Sequence, residues 1–171
     1  LIYWGTGNPG PDWNGDVRPG DNLYSDAVVA LDADSGELRW YFQFTPHDTH
    51  DWDATQIPVL VDAEWEGEPR KLMLWANRNG FYYVLDRETG EFLHVKAFAK
   101  QTWAEGFDKN GRPILIPDLD PTEEGIEVYP SINGATNWNS PSYSPDAGLF
   151  YTFAFDGSDI FYKRDDEYVE G

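Results

Sequence analysis

The sequence predicts an all-β fold assembled from repeated antiparallel hairpins, and three observations carry that prediction. Short runs rich in β-branched and aromatic residues recur, glycine-containing tight turns join them, and the strand–turn–strand unit returns at a nearly constant spacing. The chain opens in an apolar run, Leu1-Ile2-Tyr3-Trp4. The first full unit is Ala27-Val28-Val29-Ala30-Leu31, then Asp32-Ala33-Asp34-Ser35-Gly36-Glu37, then Leu38-Arg39-Trp40-Tyr41-Phe42. Gly36 stands where a tight turn needs positive φ. The second unit is Phe81-Tyr82-Tyr83-Val84-Leu85, the turn Asp86-Arg87-Glu88-Thr89-Gly90-Glu91, and Phe92-Leu93. A weaker third copy runs from Pro141-Ser142-Tyr143-Ser144 through Pro145-Asp146-Ala147-Gly148 to Leu149-Phe150-Tyr151-Thr152. The turn glycines at 36, 90 and 148 are 54 and then 58 residues apart. An amphipathic helix over Glu64 to Leu74 is a second, weaker reading of that stretch.

A strand–turn–strand repeat of somewhat over about 50 residues with aromatic flanks is the signature of a β-propeller built blade by blade. Each blade is a small sheet that needs its neighbours to cover both faces. About three repeats do not close a ring, so the expectation is one partial propeller domain over residues 1–171, an incomplete section of a longer protein. An opening inside an apolar run, without an initiator Met or leader, fits that expectation. Between the hairpins lie three long segments read as loops: Gly5 to Asn22, Thr45 to Thr55, and Ala99 to Asn139. Loops of this length in a compact domain are usually functional.

Composition narrows the function. The 171 residues carry 12 basic and 31 acidic side chains, a net charge of −19. That argues against a nucleic-acid or anionic-membrane partner, which needs clustered Lys and Arg. With no cysteine, disulfide scaffolds, thiol catalysis and Cys-ligated metals are excluded. No apolar run is long enough for a membrane-spanning helix. Aromatics at 16% are too many for a disordered acidic segment.

The densest group of potential ligands is Thr45-Pro46-His47-Asp48-Thr49-His50-Asp51-Trp52-Asp53. Asp51 and Asp53 are two apart, so extended backbone would point both carboxylates to one side, an arrangement suited to a hard cation. Against this stands the plain reading of a solvated acidic turn. His47 and His50 leave a zinc site open, although His94, the remaining histidine, lies in a hairpin strand and reads as packed or exposed. Asp32-Ala33-Asp34-Ser35-Gly36 begins like a calcium loop, but its place between two strands makes it a hairpin turn. Gly5-Thr6-Gly7-Asn8-Pro9-Gly10 lacks the Lys and helix of a phosphate loop, yet it can present the Asn8 carbonyl to a metal. Arg78, in Asn77-Arg78-Asn79-Gly80, is equally consistent with a structural salt bridge and with a functional cation.

Together, Gly5-Thr6-Gly7-Asn8-Pro9, Arg18-Pro19-Gly20-Asp21-Asn22-Leu23-Tyr24, Thr45 through Asp53 and Arg78-Asn79-Gly80 resemble the pyrroloquinoline-quinone (PQQ)-dependent alcohol dehydrogenases, the group of methanol and quinoprotein ethanol dehydrogenases. The two Asp…Gly-Glu hairpins resemble that family's tryptophan-docking blade repeats. The resemblance implies an eight-bladed β-propeller and a periplasmic enzyme. It assigns Asn8 as a metal ligand, Asp51 as the catalytic aspartate and a metal neighbour, and Arg78 as the arginine on the quinone oxygens. Asn137 falls on a PQQ-contacting Asn, and Trp138 lines the same pocket. Asp53, two residues after the catalytic position, resembles the lanthanide-dependent branch, with calcium as the alternative; a trivalent ion needs more negative charge around it. Family features not found in this chain are a metal-binding Glu, a vicinal cysteine pair and a tryptophan floor. Tyr129 stands where some members carry a cysteine.

By that resemblance, the intact enzyme oxidises a small alcohol to an aldehyde by hydride transfer to metal-bound PQQ and passes electrons to a cytochrome c. Asp51 takes the hydroxyl proton and Arg78 balances the developing charge. A cation beside Asp51 lowers its pKa, which predicts a need for elevated pH or an activator. Two alternatives stand beside it: a metallohydrolase using His47, His50, Asp51 and Asp53, and a non-catalytic propeller that binds partners. Asn8, Arg78 and Asn137 discriminate among these readings, since a zinc hydrolase has no use for all three.

Overall fold

The computed structural model describes residues 1–164 and residue 169. Among them there is no helix, and none long and apolar enough to cross a membrane. Among the described residues thirteen strands form five antiparallel sheets. In the first, β1 (Ile2–Gly5), β2 (Ala27–Leu31) and β3 (Leu38–Gln43) are in the order β1-β2-β3. The second contains β4 (Val59–Trp65), β5 (Glu68–Ala76), β6 (Phe81–Asp86) and β7 (Phe92–Ala97), a four-stranded meander. Three two-stranded sheets follow: β8 (Ala104–Phe107) with β9 (Pro113–Leu115), β10 (Ile126–Val128) with β13 (Asp159–Phe161), and β11 (Ser142–Ser144) with β12 (Leu149–Tyr151).

The two clear repeats are built by the same chemistry. In the first turn the Asp32 carboxylate accepts the N–H groups of Asp34 and Ser35, and Gly36 takes φ 74°. In the second, Asp86 accepts those of Glu88 and Thr89, and Gly90 takes φ 78°. Each hairpin shifts register by one residue just before its turn, at Ala30/Leu31 and at Val84/Leu85. Gly90 also faces its neighbour: a Cβ there would lie 2.7 Å from the Trp40 ring. Only a bare backbone lets the tryptophan of one repeat cover the turn of the next.

Alternation in the central sheet explains why blades need neighbours. Met73, Trp75, Tyr83 and Leu85 enter one core with Phe42, Phe44, Trp52, Phe81 and Trp103. Leu72, Leu74 and Val84 point the other way, into a second cluster with Val59, Val61, Tyr82 and Phe150. The sheet is thus covered on one face by the first repeat and on the other by the third, Tyr82 meeting Phe150 at 5.0 Å between ring centroids.

Two sequence expectations are corrected. Glu64 to Leu74 is not helical: it is the β4–β5 hairpin, turning at Glu66 (φ 52°) and Gly67 (φ 86°). The charged residues that mimic a helical face are the alternating exposed positions of two strands. Ala99 to Asn139 is not all loop, because β8, β9 and β10 lie within it. These strands are three or four residues long, too short for their alternation to stand out among Gly, Pro and Asp. Gly5 to Asn22 and Thr45 to Thr55 are loops as expected, apart from Gly5 itself, which ends β1.

Candidate functional site

The site forms where three loops meet at one end of the first two sheets. The glycine-rich loop leaves β1, the 45–55 loop leaves β3, and Arg78 sits in the tight β5–β6 turn. Arg18 ties the first two loops together. Its guanidinium donates to the main-chain oxygens of Pro11, Asp12 and Asp48 at 3.1, 3.2 and 2.7 Å, and to Asn22 Oδ1 at 2.6 Å.

Arg78 is buried and forms the centre. Its Nη1 lies 2.6 Å from Asp53 Oδ2 and its Nη2 3.4 Å from Asp51 Oδ2, both carboxylates being about three-quarters buried. Nη2 also donates to the Ile132 carbonyl. Asp53 Oδ1 accepts the main-chain N–H of Asn8 at 2.7 Å, and the Asn8 amide donates to Asp12 Oδ1 at 3.0 Å. That bond orients the amide and leaves its oxygen without a partner among the described residues. Asp51 and Asp53 thus meet at Arg78, and Asn8 joins them through its main-chain N–H while its side chain turns to Asp12. The extended-backbone argument for the two aspartates is corrected, because Asp51 has φ 64°. The carboxylates share a side because Arg78 lies between them.

The segment 131–137 closes over Arg78. Ala135 N–H donates to the Arg78 carbonyl at 2.8 Å, and a Cβ on Gly134 would approach the Arg78 side chain to 2.7 Å. The structure does not bring Asn137 or Trp138 into contact with Arg78, Asp51 or Asp53. Asn137 bonds its own loop, through the Asn133 carbonyl and the Trp138 N–H, and Trp138 is 75% exposed.

The electrostatics favour a cation. Two carboxylates share one guanidinium, and burial first, opposed by Arg78 and reinforced by Asp53, Asp12 and Asp48, pushes the Asp51 carboxyl up to about 6. The oxygens gathered here are hard: the Asp51 and Asp53 carboxylates, with Asn8 held beside Asp53 by its main-chain N–H. Arg78 Nε is buried without an acceptor, so the guanidinium retains a donor for an oxygen-rich group. These features fit both a hard cation and a quinone. Among the described residues no three His, Cys, Asp or Glu side chains group as a metal site, so the candidate set is two carboxylates and one amide.

The histidines do not join it. His47 Nδ1 bonds the Gly20 carbonyl at 2.8 Å and His50 Nε2 the Leu119 carbonyl at 3.1 Å. His50 is buried, stacked on Trp52, and burial lowers its pKa to about 4. His94 is an exposed strand residue with its ring 6.0 Å from that of Trp65. A zinc centre built on the histidines has no support in this geometry.

Residue type alone did not reveal two buried aspartates. Asp48 is fully buried beneath the 45–55 loop; an Asp followed at the second and fourth positions by residues needing a cap was its only sequence signal. Asp26 is fully buried and neither carboxylate oxygen has a partner, Ser25 Oγ donating instead to the Asn22 carbonyl. Burial first, then the like charges of Asp48 and Asp53, push Asp26 up to about 9. An unfolded Asp titrates near pH 4, so from about pH 4 to 9 the native state holds a proton that the unfolded state has lost. Stability therefore falls as pH rises through that window. In the metal-free full-length protein, Asp26→Asn is expected to flatten the decline of unfolding temperature with pH across it. An unchanged slope would assign the dependence to other groups.

Comparison with known proteins follows the same lines. The PQQ family described as glucose/ethanol/alcohol dehydrogenase, β-propeller domain, matches residues 1–96. Quinoprotein alcohol dehydrogenase PedH of Pseudomonas putida is 45% identical over 159 residues, 88% of this chain and 27% of that protein. The structure of quinohemoprotein alcohol dehydrogenase ADHIIG from Pseudomonas putida HK5 superposes with a TM-score of 0.89 at 39% identity, covering 96% of this chain and 25% of the other. A europium-containing methanol dehydrogenase superposes with a TM-score of 0.81 at 31% identity, covering 92% of this chain and 31% of the other. The chain thus spans about a quarter of the length of the relatives it matches.

Proposed function

Because the chain belongs to the PQQ-type glucose/ethanol/alcohol dehydrogenase β-propeller family, we propose that it is a section, of about three blades, of a periplasmic quinoprotein that oxidises small alcohols to aldehydes. One observation carries this reading: Asp51 and Asp53 flank the buried Arg78 guanidinium, and Asn8, from a second loop, is bonded to Asp53 through its main chain. Unlike the exposed pairs that Arg39 makes with Asp32 and Glu37, this group of two carboxylates and one guanidinium is largely buried.

In this reading Asn8, Asp51 and Asp53 hold the cation, and Arg78, Asn137 and Trp138 meet the cofactor. When bound, PQQ supplies the two-electron acceptor and the metal the Lewis-acid polarisation that the protein's own side chains lack. Asp51 accepts the alcohol hydroxyl proton; its burial keeps it more basic than a surface aspartate. Arg78 offers fixed positive charge beside the acceptor, needing no reorganisation during the reaction. Asp53 neutralises Arg78 in the free protein and adds an anionic ligand in the loaded one, which favours a lanthanide over calcium. The europium-containing neighbour supports that choice. A cytochrome c as electron acceptor is supported by a relative, 1-butanol dehydrogenase (cytochrome c) of Thauera butanivorans, and the acidic surface suits a basic carrier.

The reading is tested on the full-length protein. Supplied with PQQ and a lanthanide or calcium, it is expected to reduce an artificial dye with a primary alcohol as donor, and to do so only when both are present. Turnover independent of PQQ would contradict the proposal.

A further inference from the structure

We propose that Asp48 is a positioning residue for Asp51, its buried carboxylate clamping the main-chain N–H groups of His50 and Trp52 on either side. Asp48 Oδ1 accepts the His50 N–H at 2.8 Å and Oδ2 the Trp52 N–H at 2.7 Å. The inference rests on the reading of Asp51 as proton acceptor.

Asp51 adopts φ 64°, a left-handed conformation uncommon for side-chain-bearing residues, though aspartate enters it more readily than most. The two flanking N–H groups would otherwise be buried donors without acceptors. A single carboxylate takes both, in hydrogen bonds strengthened by its charge. The remaining attachments of the loop are made around the clamp. Arg18 holds the Asp48 carbonyl at 2.7 Å, the Trp52 indole N–H reaches the Ser131 carbonyl at 3.2 Å, and the His50 ring bonds the Leu119 carbonyl and stacks on Trp52 at 4.6 Å. His50 and Trp52 are thus anchored outward by their rings and inward by Asp48. Between them the Asp51 carboxylate lies 3.4 Å from Arg78 Nη2.

Asp48 has no exposed surface, so it serves Asp51 through the backbone. A displacement of about 1 Å in a reacting group costs on the order of 10²-fold in rate. The clamp's catalytic value lies in preventing that displacement.

The decisive variant is Asp48→Asn in the full-length protein, because an amide keeps the shape but sets an N–H against one of the two main-chain N–H groups. We expect kcat to fall about 10²-fold, with KM for the alcohol and bound PQQ within about twofold of wild type. In the protein without metal or PQQ, hydrogen exchange at residues 50–52 is expected to quicken about 10-fold or more, as loss of a charged hydrogen bond implies. Exchange over residues 72–85 should not change. Asp48→Glu, which keeps the charge, should restore part of both the protection and the rate. Unchanged kcat and exchange would overturn the proposal, as would parallel loss of PQQ binding and of protection throughout the sheet, the pattern of a purely structural residue. If Asp51→Asn proves active, the reading of Asp51 fails separately, and exchange in the cofactor-free protein still decides whether the clamp exists.

Discussion

Asp51→Asn in the full-length protein is expected to lower kcat for alcohol oxidation by about 10²–10⁴-fold, the usual contribution of a general base. The amide keeps the side chain's size and its place beside Arg78 but has no basic oxygen for the hydroxyl proton. Arg78 retains Asp53 at 2.6 Å and the Ile132 carbonyl, so the site should stay assembled and PQQ binding should weaken far less than turnover. The two quantities are separated by measuring bound PQQ spectroscopically beside dye-linked rates. A variant retaining more than about a tenth of wild-type kcat would eliminate Asp51 as the base. The need for elevated pH expected from a nearby cation is opposed within the protein itself, since burial pushes the Asp51 carboxyl up to about 6 before any ion binds.

The second large effect is expected at Asp53. Asp53→Ala removes the carboxylate that accepts the Asn8 N–H and pairs with Arg78. A trivalent ion loses more than a divalent one when an anionic ligand is deleted, because its attraction to that ligand is greater while its demand for neutralising charge is higher. Lanthanum-supported activity should therefore fall on the order of 10²-fold, the upper range seen when a metal site loses a supporting group. Calcium-supported activity should fall less than about tenfold. Equal losses with both ions would make Asp53 a partner of Arg78 alone.

Much of this was legible in the sequence. The hairpins at Asp32–Gly36 and Asp86–Gly90 were readable because their turn chemistry is local: an Asp capping two N–H groups and a glycine at positive φ. Asn8, Asp51, Asp53 and Arg78 were singled out by the family resemblance of their motifs, since the residues alone left a solvated acidic turn and a structural salt bridge open. The strands between Ala104 and Val128 were not legible, being only three or four residues long. The β4–β5 hairpin was ambiguous because its polar residues fit both a helical and an alternating pattern. Asp26 and Asp48 were hidden for a different reason. An acidic residue in a loop reads as solvated, and only tertiary packing shows that these two are fully buried. His50 looked like a ligand in sequence, yet its ring serves the loop through Leu119 and Trp52.

The most direct test is a crystal structure of the full-length protein grown with a lanthanide, with anomalous scattering used to locate the ion. The account predicts one strong peak bounded by the Asp51 and Asp53 carboxylates and the Asn8 side-chain oxygen. A protein active with that ion whose peak lies elsewhere, with Arg78 still the sole cation between the two aspartates, would contradict it.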